Sequence, residues 1–156
     1  MKEPKVISGG VAVDDRGSVT FVNDFDFSDV KRFYQVQNHR RGFIRAWHGH
    51  KKEAKYVYVP TGSALVGAIP VPDYVYMDEM GGDVEIIPGD KRPETFVLSS
   101  KSPKVLHIPE GYANGFMTLE ENTIVQFFST STLEDSLGDD IRFNFDKWDI
   151  WKEDFR

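Results

Sequence analysis

Hydrophobic and polar positions in this chain alternate over short stretches, in the manner of β-strands. Runs rich in Val, Ile, Phe and Tyr recur at intervals of about 8–12 residues and are separated by Gly, Pro, Asn and Asp, which is typical of an all-β sandwich or barrel. The predicted strands are Val19–Val22, Phe33–Gln37, Phe43–His50, Tyr56–Val59, Ala64–Val71, Glu94–Leu98, Lys104–Ile108, Gly115–Leu119 and Thr123–Ser129. We expect a single domain over residues 1–156, because one domain of this length can bury its own core.

Two regions depart from the strand pattern. The best helix candidate is the tail Asp146–Phe155, where Trp148 and Trp151 lie three residues apart and are expected to pack rather than to stack on a nucleobase. Leu133–Leu137 is a second candidate for a short helix or turn. The irregular stretch Pro72–Lys91 is predicted to be a solvated hairpin insertion, with a lid or a partner contact as the alternative.

Composition narrows the possible functions. The absence of cysteine excludes a disulfide scaffold, a Cys-ligated metal site and a thiol nucleophile. A net charge of −6 argues against a general nucleic-acid binder, whose footprint is basic, but leaves room for a local basic pocket. The first ten residues lack an apolar targeting core, and the longest mostly apolar run, Ala64–Pro72, is too short to cross a bilayer. We therefore expect a cytoplasmic protein with no nucleic-acid or membrane partner.

His48 and His50 are the first candidates for chemistry. On a strand, residues two apart point to the same face, so both imidazoles project to one side. Such a pair suits metal ligation or proton transfer, and a pair of surface histidines is the alternative.

The surroundings of this pair resemble a known motif. The spacing from Gly42 through His48, His50 and Lys55 to Gly62 follows the first cupin motif, and Lys55 stands where metal-binding cupins have a glutamate ligand.

Residues 109–114 resemble the second cupin motif, with Asn114 at the position of its histidine ligand. An ammonium group at Lys55 repels a divalent cation, and an amide is a poor ligand for a first-row metal. The two remaining histidines fall short of the three protein ligands that are usual in a catalytic zinc site. We expect a pocket without a metal ion.

Further motifs resemble the dTDP-4-dehydrorhamnose 3,5-epimerase family. Arg45–His48 is similar to its Arg-Gly-Leu-His signature, and Ile108–Phe116 is similar to its I-P-x-G-[FY]-A-H-G-F run. Asp15–Gly17 and Gln37-Asn38 match in the same order, and the similarity extends to Ile141–Trp151.

A sister group matches as well. His48–Lys51 is similar to the His-Ala-His-Lys motif of the dTDP-4-keto-6-deoxyglucose 3,4-ketoisomerases, and Lys31–Tyr34 resembles the stretch upstream of it. Both groups are cupin-fold dimers that act on a nucleotide-linked 4-keto-6-deoxy sugar without a cofactor. The resemblance implies an all-β cupin, that is, a jelly-roll (double-stranded β-helix) barrel with a short C-terminal helix, which forms a homodimer and needs no cofactor.

The resemblance also implies roles for single residues. A C4 ketone acidifies the protons at C3 and C5, so the site needs a base, a cation at the enolate oxygen and an acid opposite the base. His48 matches the base and Lys55 matches the lysine at the carbonyl oxygen. Asp146 is the expected aspartate that orients the imidazole, with Asp140 as its rival, and His50 would act in a ketoisomerisation.

The general acid is the main departure from the epimerase pattern. Leu133 stands at the position of the family's tyrosine. Tyr112, Tyr34 and Tyr58 are possible substitutes, and the sequence favours none of them.

Substrate anchoring is expected from arginine forks, which suit a diphosphate. The residues expected to bind a nucleotide-diphosphate sugar are Arg16, Gln37, Asn38, Arg45, Tyr112 and Asn114, to which Arg40 or Arg41 could add, while His39 and His107 are expected to be structural or at the surface. Strict alternation places Arg45 and His48 on opposite faces, so a bulge or a later strand start is needed to bring both into one pocket.

The leading interpretation is a metal-independent epimerase that acts at C3 and/or C5 of a nucleotide-activated 4-keto-6-deoxy sugar. A 3,4-ketoisomerase is the alternative within the enzyme class, and a sugar-binding cupin without catalysis is the alternative outside it. A metal-dependent cupin dioxygenase is disfavoured by Lys55 and Asn114.

Overall fold

In the described part of the chain, about half of the residues form antiparallel strands, and one short helix is the other regular element. A computed structural model describes residues 2–72 and 91–152, so nearly all of the insertion predicted at Pro72–Lys91 lies outside the described residues. The elements are β1 (Lys5–Ser8), β2 (Gly10–Asp14), β3 (Gly17–Phe21), β4 (Arg32–Gln37), β5 (Ile44–Gly49), β6 (Lys55–Thr61), β7 (Ser63–Pro70), β8 (Glu94–Ser99), β9 (Lys104–Ile108), β10 (Tyr112–Thr118), β11 (Ile124–Ser129), α1 (Leu133–Leu137) and β12 (Ile141–Arg142). Among the described residues no helix is long and apolar enough to span a membrane.

Two five-stranded sheets form the barrel. The first sheet has the order β1-β9-β6-β11-β4 and the second has the order β12-β5-β10-β7-β8. Their facing sides enclose a core of aliphatic and aromatic side chains that includes Val57, Val66, Leu106, Phe116 and Phe127. This arrangement confirms the all-β jelly-roll prediction, and all nine predicted strands are present within a few residues.

A second apolar cluster lies on the outer side of the second sheet. Trp47 of β5 is fully buried there, and Trp148 packs edge-on against it with ring centroids 5.4 Å apart. Trp151 also packs on Trp47, so the two tail tryptophans pack in the protein, as predicted, and hold the C-terminal segment against the sheet.

The tail itself differs from the prediction. Asp146–Phe155 is not helical in its described part, which forms a turn over 145–148 and is irregular as far as 152. The indole N–H groups of Trp47 and Trp151 both donate to the carbonyl oxygen of Phe145, at 3.1 and 3.0 Å, and so fix the chain by side-chain bonds rather than by a helical ladder. The short helix is α1, capped by the Thr132 hydroxyl, which accepts from the Asp135 N–H.

Of the hairpin β2–β3, the sequence predicted only β3. The chain turns between Asp14, where β2 ends, and Gly17, where β3 begins. Gly17 has φ +136°, a left-handed conformation that favours glycine. The hairpin forms a separate two-stranded sheet, and Val13 and Val19 on it are 77% and 65% exposed. The barrel therefore presents an arm with apolar side chains in contact with solvent.

Candidate active site

A cavity of about 260 Å³ opens between the two sheets and collects several of the polar side chains singled out above. Its walls come from β4 and β6 on one side, from β5 and β10 on the other, and from the segment that contains α1 and β12. The lining residues are Arg32, Tyr34, Val36, Arg45, His48, His50, Lys55, Asn114, Phe116, Phe127, Ser136, Leu137, Asp140 and Arg142.

A β-bulge brings Arg45 and His48 to this cavity together. Arg45 pairs with Phe116, and His48 pairs with Asn114. Two residues of β5 lie between these pairs but only one residue of β10, so β5 carries the extra residue of a bulge. Gly115 makes the bulge possible, because a Cβ atom at this position would lie 2.4 Å from the Cβ of Ala46. The bulge that the sequence required is therefore present.

The imidazole of His48 is neutral at physiological pH. Its Nδ1 lies 3.9 Å from Oδ1 of Asp140, whose other carboxylate oxygen accepts from Nε of Arg142 at 2.9 Å. Burial, together with the positive charges of Lys55 and Arg142, lowers the pKa of His48 from its usual 6.5 to about 4, and Asp140 opposes this shift. The imidazole can therefore accept a proton from a bound molecule at pH 7.

His50 is held more tightly than His48. It is 4% exposed, and its Nδ1 lies 2.8 Å from the carbonyl oxygen of Asp139 and 3.1 Å from Oε2 of Glu53. The Asp139 carboxylate accepts from the backbone N–H groups of Lys51, Lys52 and Glu53, which ties the turn after β5 to the loop before β12.

Lys55 and Tyr34 face the histidines from the first sheet. Lys55 is 7% exposed, and its ammonium lies 5.9 Å from the ring centre of Tyr34 and 5.7 Å from that of Phe127. Tyr34 stacks on Phe127 with centroids 5.0 Å apart. Proton carriers therefore enter the cavity from both sheets.

Asn114 and Asn38 support this site from its edges. Asn114 is 6% exposed, pairs with His48 across β10 and β5, and donates from Nδ2 to the His48 carbonyl oxygen at 3.4 Å. Asn38 accepts from Nε of Arg45 at 2.8 Å, and so holds the guanidinium at the cavity.

The chain is similar in sequence to a polysaccharide biosynthesis protein. No protein-family model matches the chain. The spore coat polysaccharide biosynthesis protein SpsL of Bacillus subtilis is 26% identical over 149 residues, which cover 92% of this chain and 91% of that protein.

Similarity to solved structures settles the fold. The dTDP-4-dehydrorhamnose 3,5-epimerase of Bacillus anthracis, solved with TDP and PPi bound, superposes with a TM-score of 0.71 at 20% identity over 95% of this chain and 83% of that one. The epimerase from Sulfolobus tokodaii gives 0.70 at 24% identity over 94% and 80%. The 3,4-ketoisomerase QdtA of Thermoanaerobacterium thermosaccharolyticum gives 0.64 at 18% identity over 95% and 92%.

The chain has the all-β jelly-roll fold of these cupin enzymes. Within this cupin, the cavity unites His48, His50, Lys55, Arg45 and Asn114 of the residues predicted from the sequence.

Besides Asn38, four other predicted site residues do not line the cavity of the single chain. Arg16 is at the hairpin tip, where its exposed guanidinium binds Asp14 at 2.6 Å. Gln37 points outward, because Tyr34 and Val36 take the inward positions of β4. Asp146 is exposed in the turn that follows β12, and Asp140 takes the place beside His48. Tyr112 is 5% exposed, and its hydroxyl donates to the Lys2 carbonyl oxygen.

The three substitute tyrosines are separated by their positions. Tyr58 faces away from Lys55 on the alternating strand β6, and it lines an outer depression with Phe25 and Phe128. Since Tyr112 lies in the core, only Tyr34 of the three lines the cavity. Leu133 is 61% exposed on α1 and does not line it.

The remaining candidates lie elsewhere. Arg40 lies over the ring of Phe43 at 4.9 Å, and neither Arg40 nor Arg41 lines the cavity. His39 is exposed, and His107 stacks on Tyr56 at 4.7 Å on the outer face of the first sheet.

Glu53, Arg32 and Asp139 were not predicted. Glu53 lies in a turn rich in lysine, which favours an exposed side chain, although its side chain is 2% exposed. Its spacing of three residues from His50 is the one available signal, because a tight turn places such neighbours side by side.

Proposed function

We propose that this cupin is a metal-independent epimerase acting at C3 and/or C5 of a nucleotide-activated 4-keto-6-deoxy sugar in deoxysugar or polysaccharide biosynthesis. The observation that carries the proposal is a neutral base, an ammonium and a phenol that enter one cavity from opposite sheets: His48, Lys55 and Tyr34. The epimerases and the polysaccharide biosynthesis protein to which the chain is similar support the substrate class.

His48 is the proposed general base. Because Nδ1 faces Asp140, Nε2 takes the proton from C3 or C5 of the sugar. The C–H bond breaks, an N–H bond forms, and the electron pair of the C–H bond moves to the C4 oxygen as an enolate. The ammonium of Lys55 stabilises the negative charge on that oxygen, and the imidazolium is stabilised by Asp140.

Tyr34 is the proposed acid for the opposite face. It belongs to β4 of the first sheet, whereas His48 belongs to β5 of the second, so a flat enolate between them meets the base on one side and the phenol on the other. Protonation of the carbon by the phenol inverts the stereocentre. The guanidinium of Arg32, 5.0 Å from the Tyr34 ring centre, stabilises the phenolate that is left.

The donor set supports the proposal of a metal-independent reaction. Lys55 occupies the cavity beside the two histidines, and its charge opposes the binding of a divalent cation. Among residues 2–72 and 91–152, no three His, Asp or Glu side chains are grouped so that they could hold a metal ion.

Arg45 is the proposed anchor for the diphosphate, because its fork is held at the cavity by Asn38. Arg16 can join such a site only through a second subunit, since it lies on the hairpin arm of its own chain. We propose a homodimer in which the exposed valines of β2–β3 pack on the partner. Sedimentation equilibrium at twice the chain's mass is expected.

A 3,4-ketoisomerase is the second candidate, and His50 favours it. A second imidazole in the same cavity as His48 suits the transfer of protons between neighbouring carbon and oxygen atoms of one sugar edge. The two activities differ in product: an inverted centre with the ketone at C4, or a ketone moved to C3.

Incubation in D₂O with a panel of nucleotide-linked 4-keto-6-deoxy sugars, followed by NMR, tests the proposal. Wild-type protein is expected to introduce deuterium, and His48→Ala is expected to abolish this exchange while folding is preserved. His107→Ala is the matched control, because His107 lies outside the cavity. Tight binding of a nucleotide sugar by the wild type without any exchange would instead indicate a non-catalytic binding protein.

A further inference from the structure

Glu53 is a buried carboxylate whose hydrogen-bonding capacity is filled. Oε1 accepts from the Ser129 hydroxyl and from Nη2 of Arg32 at 3.1 Å. Oε2 accepts from the Ser136 hydroxyl at 2.8 Å and lies 3.1 Å from Nδ1 of His50. An ionised carboxylate offers about four lone-pair sites, and each finds a partner here.

The surroundings keep Glu53 ionised. Burial alone would raise the pKa of Glu53, but the hydrogen bond from Ser129 and the positive charge of Lys55 outweigh it and lower that pKa. A permanent negative charge therefore lies beside the imidazole of His50.

Both neighbours of Nδ1 of His50 are acceptors. One is the carbonyl oxygen of Asp139 at 2.8 Å and the other is the carboxylate of Glu53. A ring nitrogen can bond to an acceptor only when it carries a proton, so the proton of the neutral imidazole is on Nδ1 and the lone pair is on Nε2.

We propose that Glu53 is a positioning residue that fixes His50 as the Nδ1–H tautomer and stabilises the imidazolium formed when Nε2 takes a proton from the substrate. This inference rests on the second candidate of the proposed function, the 3,4-ketoisomerase, in which His50 as well as His48 takes a proton from the sugar. The C–H or O–H bond of the sugar breaks, the N–H bond of His50 forms, and the electron pair stays on the sugar. Glu53 keeps its charge throughout and contacts no substrate.

The charged groups around His50 act in two directions. Burial and the charge of Lys55 lower the pKa of His50, while Glu53 and Asp140 raise it. Lys55 is positively charged and His48 is neutral, so neither stabilises an imidazolium at His50. Glu53 is therefore the anion that stabilises His50 when it takes up a proton, because its Oε2 lies 3.1 Å from Nδ1 of that imidazole. Asp140 instead pairs with His48, with its Oδ1 3.9 Å from Nδ1.

A structural role alone would not need the charge of Glu53. A glutamine amide at this position could still accept from Ser129 and Arg32 through its one oxygen and donate from its NH2 group to the Ser136 hydroxyl, but it would not offset a positive imidazole. Glu53→Gln therefore separates packing from electrostatics.

The test is NMR of ¹⁵N-histidine-labelled protein, which reports the tautomer and pKa of each imidazole, combined with kinetics of solvent exchange. In the wild type, His50 is expected as the Nδ1–H tautomer at pH 7. Glu53→Gln is expected to lower the pKa of His50 by about one unit or more, since bonds to charged groups are roughly twice as strong as neutral ones. Its kcat is expected to fall about 100-fold with little change in KM, because a buried side chain does not touch the sugar. Glu134→Gln, on the exposed surface of α1, is the matched control and should behave as the wild type.

An Nε2–H tautomer in the wild type, or a His50 pKa that is unchanged in Glu53→Gln, would overturn the inference. The wild-type tautomer needs no variant, so it remains decisive if Glu53→Gln fails to fold. If the tautomer and the pKa change are as expected but the wild type exchanges no proton with any sugar, the proposed function fails and the Glu53–His50 pairing stands.

Discussion

Asp140 lies 3.9 Å from Nδ1 of His48, measured from its Oδ1 atom, and is fixed by Arg142 on its other side. This distance is longer than a hydrogen bond, as is common before a substrate closes a site. It places the carboxylate where it can align the imidazole and stabilise its protonated form.

Asp140→Asn is expected to slow deuterium exchange into the sugar by roughly 100-fold or more, because the imidazolium of His48 loses its counter-charge. The same substitution should lower the pKa of His48 still further, since Asp140 raises it. Exchange rates measured by NMR check the first effect and a histidine titration checks the second. Asp146→Asn is the control: a comparable loss of exchange in that variant would assign the orienting role to Asp146.

The acid limb of the pH–rate profile is expected near pH 4 rather than near 6.5, because only neutral His48 can take the substrate's proton. The folded-state pKa is depressed below the unfolded value, so the unfolded chain binds more protons between these two values. His48 therefore makes stability rise with pH across the window from about 4 to 6.5. Denaturant titrations at several pH values, with His48→Gln as the comparison, measure that slope.

Lys55→Met should raise the pKa of His48, because the positive charge of Lys55 lowers it. A histidine titration in which the pKa of His48 stays near 4 would remove Lys55 as a cause.

Gly115→Ala is expected to destabilise the fold by about 1–3 kcal/mol, as overpacking of a close contact does. Its Cβ would meet Ala46 at 2.4 Å and the carbonyl oxygen of Arg45 at 3.2 Å, so the bulge must shift and both Arg45 and His48 lose their alignment. Denaturant unfolding and the exchange assay check the two effects. Gly138→Ala, whose nearest neighbour would be 3.8 Å away, should leave both quantities almost unchanged.

Tyr34→Phe is expected to uncouple proton removal from inversion. His48 can still exchange the sugar proton and return deuterium to the same face, so the variant should label the substrate with retained configuration. The inverted product should fall about 100-fold, as removal of a general acid predicts. Product NMR distinguishes these species, and Tyr58→Phe, on the outer side of β6, is the matched control. Full inversion by Tyr34→Phe would show that another group is the acid.

The sequence predicted the strands of the barrel better than it predicted the hairpin strand β2 and the C-terminal tail. In strands such as β6 and β11, buried and more exposed side chains alternate because one face of the strand is buried, and the sequence shows this alternation. The hairpin strand β2 lacks such a face, and the tail is held by indole bonds to Phe145, which no periodicity records.

The candidate site divides in the same way. His48, Lys55 and the need for a bulge after Arg45 follow from motif spacing and strand alternation. The choice of Asp140 over Asp146 depends on where the loop before β12 crosses β5, and the burial of Glu53 depends on contacts from three other segments. These are long-range relationships that one sequence does not encode locally.

The most direct test of the central claim is proton NMR of dTDP-4-keto-6-deoxyglucose incubated with the wild-type protein in D₂O. The account predicts deuterium at C3 and/or C5, an inverted centre and a ketone that remains at C4, and it predicts the loss of both deuterium uptake and inversion in His48→Ala. Absence of deuterium from this sugar and from the other nucleotide-linked 4-keto sugars of the panel would contradict it.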